Sequence, residues 1–139
     1  MNREIKFRAW DVESNEMTLP NDILEVLVSM KNEVYAMVKG RNETLGGINR
    51  DNTILMQYTG LKDNNGTEIY EGDILSTDLD RPYLIVEFRN GAFMYQCHDN
   101  GKDYYDFMAT TGENSNFTKY HEVIGNIFEN PELLERYRK

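Results

Sequence analysis

Cysteine is almost missing from this chain: Cys97 is the only one in 139 residues. No intramolecular disulfide can form, and a reducing interior, the cytoplasm, is the expected compartment. Long hydrophobic runs are missing as well. Met1-Asn2-Arg3-Glu4-Ile5-Lys6 alternates charged with apolar residues. It lacks the apolar stretch of about 7–15 residues that a secretory signal needs, and the longer one of a membrane span. No membrane partner is expected. Basic side chains are outnumbered, 15 Lys and Arg against 24 Asp and Glu, for a net charge of −9. The imbalance concentrates in residues 53–128, which carry 5 basic and 12 acidic side chains. A field of that sign opposes non-specific nucleic-acid binding, whose affinity comes from neutralising phosphates with Lys and Arg. It suits a basic protein partner, or solubility alone.

What is present is ordinary globular material, 40% apolar and 28% charged, in a chain long enough for one domain or two small lobes. Its pattern is mostly period two, the signature of strands. Ile5, Phe7 and Ala9 alternate with Glu4, Lys6 and Arg8, giving a first strand with one core face and one wet face. A polar turn at Asp11 to Glu16 leads to a short return at Met17 to Leu19. Residues 23–30 fit helical as well as strand spacing; the turn at Lys31-Asn32-Glu33 and the β-favouring run Val34 to Val38 favour a hairpin. Gly40 to Asn52, with three Gly and three Asn, reads as a long surface loop.

Ile54 to Tyr58 reads as a central strand, and Asp63-Asn64-Asn65-Gly66 is the strongest turn signal. Extended structure resumes from Glu68 to Leu75. Tyr83 to Phe88 and Ala92 to His98 form a hairpin around Arg89-Asn90-Gly91, and Tyr104 to Met108 pairs next. His121 to Phe128 is a last strand. Asn130 and Pro131 suit the N-cap and first position of a closing helix. The expected fold is therefore mainly β with a minor α part. An N-terminal β-hairpin lobe (residues 1–52, with a long loop at 40–52) precedes an SH3-like small β-barrel (53–139) that ends in a helix at 131–138.

No reaction centre emerges from the residues, so no enzyme and no cofactor is expected. Aligning Gly66 with the sixth position of a calcium loop puts Leu61 first and Gly72 twelfth, where oxygen ligands are required. Cys97 and His98 are adjacent and point to opposite faces of a strand, and with His121 they make no zinc spacing. Cys97 shares a face with Phe93 and Tyr95, the setting of a small core residue. Asp78 with Asp80 and Asp103 with Asp106 lie in turns or on wet faces, without the pocket that raises a catalytic carboxyl.

Three stretches resemble the YopX family: KFRAWD (Lys6 to Asp11), LMQYTGLKDNNGTEIYEGDIL (Leu55 to Leu75) and VIGNIFENPELL (Val123 to Leu134). The resemblance implies a small phage- or prophage-encoded protein acting in a bacterial host cell, and it brings no catalytic residue. The glycines, Asp63 and Asp73 in these stretches suit turns. Tyr58, Thr59, Lys62, Tyr70 and Glu71 are left over around one turn and form the candidate interaction surface. A protein partner, either another protein or a second copy of the chain, is the first expectation. The alternative is nucleic-acid engagement, either through Lys6, Arg8 and Trp10 on one face of the first strand or by mimicry of DNA.

Overall fold

The computed structural model describes residues 4–28, 34–38, 44–48, 53–77, 83–99, 102–108 and 121–137. They divide into two compact units, one of residues 4–57 and one from Tyr58 onward. A single strand of ten residues, β6 (Thr53–Lys62), runs through that division, so the boundary between the units falls inside a strand.

In the first unit, β1 (Phe7–Asp11) and β2 (Glu16–Thr18) form an antiparallel hairpin. Asp11 fixes its turn, because Oδ1 accepts the N–H groups of Glu13 (2.9 Å) and Ser14 (3.3 Å). The other side of β1 pairs with the first half of β6, Phe7 opposite Gln57 through Asp11 opposite Thr53. Ala9, Trp10 and Met56 are buried. After a 3-10 turn at Pro20–Asp22, the strands β3 (Ile23–Val28), β4 (Val34–Val38) and β5 (Thr44–Ile48) follow as an antiparallel meander. The strand reading of residues 23–30 thus holds over 23–28.

β5 corrects the expected loop at 40–52. Residues 44–48 pair with β4, Met37 opposite Thr44 and Val34 opposite Ile48. A ladder needs only backbone donors and acceptors, so the glycine-rich composition that argued for a loop did not prevent pairing. The remaining residues of that stretch lie outside the described ones.

The second unit starts with the rest of β6 and its antiparallel partner β7 (Glu68–Tyr70). Its larger sheet contains β8 (Asp73–Thr77), β9 (Leu84–Arg89), β10 (Ala92–Asp99), β11 (Lys102–Phe107) and β12 (His121–Asn126), in the order β11-β10-β9-β8-β12. The β9–β10 hairpin turns at Asn90-Gly91, where φ is 52° and 82°. Both residues adopt the left-handed backbone that a two-residue hairpin turn requires, and Asn-Gly supplies it at least cost. Ile69, Leu75, Leu84, Val86 and Met108 make the core of this unit, with Leu61, Phe93, Tyr95, Cys97 and Val123 against it. A helix α1 (Glu132–Tyr137) closes the described chain. The mainly β expectation holds.

Candidate functional site

Of the five residues expected to form an interaction surface, Tyr58 and Tyr70 are buried, Thr59 and Glu71 half-buried and Lys62 exposed. Tyr58 and Tyr70 stand opposite each other across β6 and β7 with ring centroids 5.5 Å apart. They are only 4% and 5% exposed. Thr59 is half-buried and spends its hydroxyl on the backbone: it donates to the Ile69 carbonyl (2.8 Å) and accepts from the Leu61 N–H (3.1 Å). These bonds brace a bulge between Tyr58 and Lys62. Glu71 is half-buried; Lys62 alone is exposed. The sequence puts both tyrosines around one turn, but it could not tell that they are covered.

The alternative face fares no better. Arg8 and Trp10 are each 8% exposed, and Lys6 is half-buried and paired with Glu4 at 2.8 Å. A buried guanidinium and indole cannot present a phosphate clamp and a stacking platform together.

The acidic and amide residues of the central and closing stretches lock turns. Asp63 is buried; its Oδ1 accepts the N–H groups of Asn65 (2.9 Å) and Thr67 (2.8 Å), and its Oδ2 accepts that of Val123 (2.9 Å) on β12. The carboxylate thereby ties the β6–β7 turn to a strand sixty positions on. Asp73 caps the next turn through Tyr70 N–H at 2.7 Å. Where β12 ends, Asn126 Oδ1 accepts from Phe128 (3.0 Å) and Glu129 (2.8 Å). Asn130 Oδ1 accepts the Asn126 N–H at 3.1 Å, so this side chain serves the strand end and not the helix N-cap role expected of it. A Cβ on Gly125 would lie 2.5 Å from that same oxygen. The closeness of this approach, more than any turn, demands glycine there.

The residues weighed for catalysis are dispersed. Cys97 lies on β10 and His121 on β12, with β9 and β8 between them in the sheet. Strands stand about 4.8 Å apart, which puts the two backbones on the order of 14 Å from each other across the sheet. The His98 side chain lies outside the described ones. Among the described residues no three His, Cys, Asp or Glu gather as metal ligands, and no described helix is long and apolar enough to cross a membrane.

The exposed aromatic surface is elsewhere, at the β9–β10–β11 end of the sheet. Phe88 is 53% and Tyr104 54% exposed. Phe88 meets Phe93 edge to face at 5.1 Å between centroids, and the Arg89 guanidinium lies 4.0 Å over the Tyr105 ring. Gln96 donates to the Tyr105 hydroxyl (2.9 Å), and the Tyr95 hydroxyl reaches Asp106 (3.4 Å). β11 has β10 on one side and no strand on the other among the described residues. The sequence held a signal for this: Lys102-Asp103-Tyr104-Tyr105-Asp106 puts charge on both faces of a strand, the mark of an edge.

With this geometry in view, the family comparison is decisive: the model for the family described as YopX protein matches residues 6–135. The chain belongs to the YopX family. Two solved structures share its fold along nearly the whole length. One is protein EF1440 from Enterococcus faecalis, with 29% identity, a TM-score of 0.57, and 96% of this chain and 99% of that one covered. The other is protein yopX from Bacillus subtilis, with 20% identity, a TM-score of 0.58, and coverage of 93% and 95%. No curated protein gives a significant match. In this YopX chain the three resembling stretches fall on β1, on β6 through β8, and on β12 with α1. In the second and third of them, the polar residues with the most hydrogen bonds hold backbone.

Proposed function

We propose that this YopX chain is a non-enzymatic interaction module, a phage- or prophage-encoded accessory protein that works in the bacterial cytoplasm by docking a protein through the β11 edge and the aromatics beside it. The reading rests on one observation: among the described residues β11 has a strand on one side only and carries Tyr104, more than half exposed, while the equally exposed Phe88 stands on the same face of the sheet two strands in, on β9. An added strand can hydrogen-bond to such an edge, while neighbouring aromatic side chains supply the apolar contact. The structural use of Asp63 and Asp73 and the core placement of Cys97 support a role without catalysis. Burial of Arg8 and Trp10 weighs against the nucleic-acid alternative.

The test is copurification from a bacterial host together with light scattering. Association is expected, as a stoichiometric partner or a mass above the 16.3 kDa of one chain. Phe88→Lys with Tyr104→Lys should weaken it at least about tenfold, since exposed aromatics dominate such interfaces. A strict monomer that retains no protein would end this reading.

A further inference from the structure

We infer that Asn90 is a site of spontaneous modification, converting to aspartate and isoaspartate, while the fold holds back the like pair Asn65-Gly66. The chemistry needs only the chain and water. The Gly91 backbone nitrogen attacks the side-chain carbonyl carbon of Asn90. The new C–N bond closes a succinimide ring, and the side-chain amide leaves as ammonia. Water then opens the ring. Cleavage at the side-chain carbonyl leaves aspartate; cleavage at the main-chain carbonyl leaves isoaspartate, whose backbone runs through the side chain and is longer by one methylene. Glycine favours the first step because no side chain crowds the attacking nitrogen.

The sequence holds three Asn-Gly pairs, at 65–66, 90–91 and 100–101; the last lies outside the described residues. The first two pairs are both exposed, so exposure does not separate them. Hydrogen bonding does. The Asn65 side chain donates to Glu122 Oε1 (3.1 Å) and the Asn65 N–H to Asp63 Oδ1 (2.9 Å). The attacking group of that pair, the Gly66 N–H, donates to the Asp63 carbonyl (3.1 Å). Among the described residues, neither the Asn90 side chain nor the Gly91 N–H makes a hydrogen bond.

In each turn the glycine nitrogen must first swing onto the side-chain carbon. At Asn65 that swing breaks all three bonds, in a turn that Asp63 also ties to β12. At Asn90 it starts from a left-handed backbone, with φ of 52°, which costs a residue with a side chain more than the ordinary regions do. Leaving it opens only the hairpin tip beyond the Arg89–Ala92 pair, and the ladder from Phe88 and Phe93 inward stays closed. Local openings of that kind lie at the low end of a protein's stability scale. The product lasts. A two-residue hairpin turn needs left-handed φ at both positions, which a lengthened backbone does not supply, and the new carboxylate adds a negative charge beside Arg89.

Peptide mapping by mass spectrometry tests this on the full chain, held folded at mildly alkaline pH and sampled over weeks. Fragmentation must separate Asn90 from Asn100, because both fall in the tryptic peptide 90–102. A parallel sample in guanidinium chloride gives the rate of each site without the fold. Dividing each folded rate by its unfolded rate cancels the local sequence and leaves the protection that the structure confers. Folding should slow Asn65 at least about tenfold more than it slows Asn90, the scale set by breaking several hydrogen bonds. Asn90 should then be the first of the two to gain the mass of a carboxyl in place of an amide, with isoaspartate among its products. A smaller difference in protection overturns the inference, as does the reverse order.

Discussion

Single polar residues in this chain fasten backbone segments to one another, and Asp63 is the example with most consequences. Its two oxygens take three backbone N–H groups from two separate segments, in a position only 6% exposed. Asn is nearly the same size, but one of its two terminal atoms is a donor. Whichever way the amide turns, a donor faces Val123 N–H or the pair from Asn65 and Thr67. Leaving a buried donor unmatched costs roughly 1–3 kcal/mol. Asp63→Asn should therefore lower the unfolding free energy by about 2 kcal/mol, read as a shift in the urea midpoint at unchanged slope. A neutral result would mean that the carboxylate is dispensable to the turn.

At the scale of elements, the β9–β10–β11 sheet couples its strands through polar contacts as well as the ladder. Tyr95 faces Asp106 across β10 and β11. Its phenol is held above the ordinary tyrosine range, first by burial, then by the charge of Asp106 and the hydrogen bond to it, and last by Cys97. The unfolded chain then releases this proton before the folded one does. Tyr95 stabilises the fold fully below the ordinary value of about 10 and loses that contribution as pH climbs through the raised one. Tyr95→Phe should flatten the fall of stability above about pH 10, measured by denaturation at a series of pH values; an unchanged alkaline limb would contradict the assignment. Elements of this kind were legible from sequence wherever period two and a strong turn coincided. Asn90-Gly91 announced the β9–β10 hairpin, and Asp63 to Gly66 announced the turn before β7. β5 was illegible because Gly46 and Gly47 remove the side-chain alternation that marks a strand, while the backbone pairing that makes it a strand leaves no trace in composition. Tyr58 and Tyr70 were placed beside each other correctly in sequence terms, but whether a face is covered depends on distant segments. For the same reason Arg8 was read as wet, and the rim residue Tyr104 was read only as part of a strand.

At the scale of the whole molecule, the net charge of −9 acts on any long-range encounter before a particular contact can form. A field of that sign opposes the approach of duplex DNA, and of the first-strand residues that could offset it Arg8 and Trp10 are buried. No gel shift is expected even at about 50 mM salt, where electrostatic binding is strongest. A salt-sensitive shift would revive the nucleic-acid reading. The sheet order has a further consequence during synthesis. β12 lies beside β8, yet 43 residues separate Thr77 from His121. A ribosome adding about 5–20 residues per second exposes β8 well before its outer neighbour exists. For those seconds the nascent chain carries a bare hydrophobic strand, and Asp63 waits for its third donor. Stalled or truncated copies that stop short of β12 would stick to one another, so chaperone demand should track translation speed through this interval.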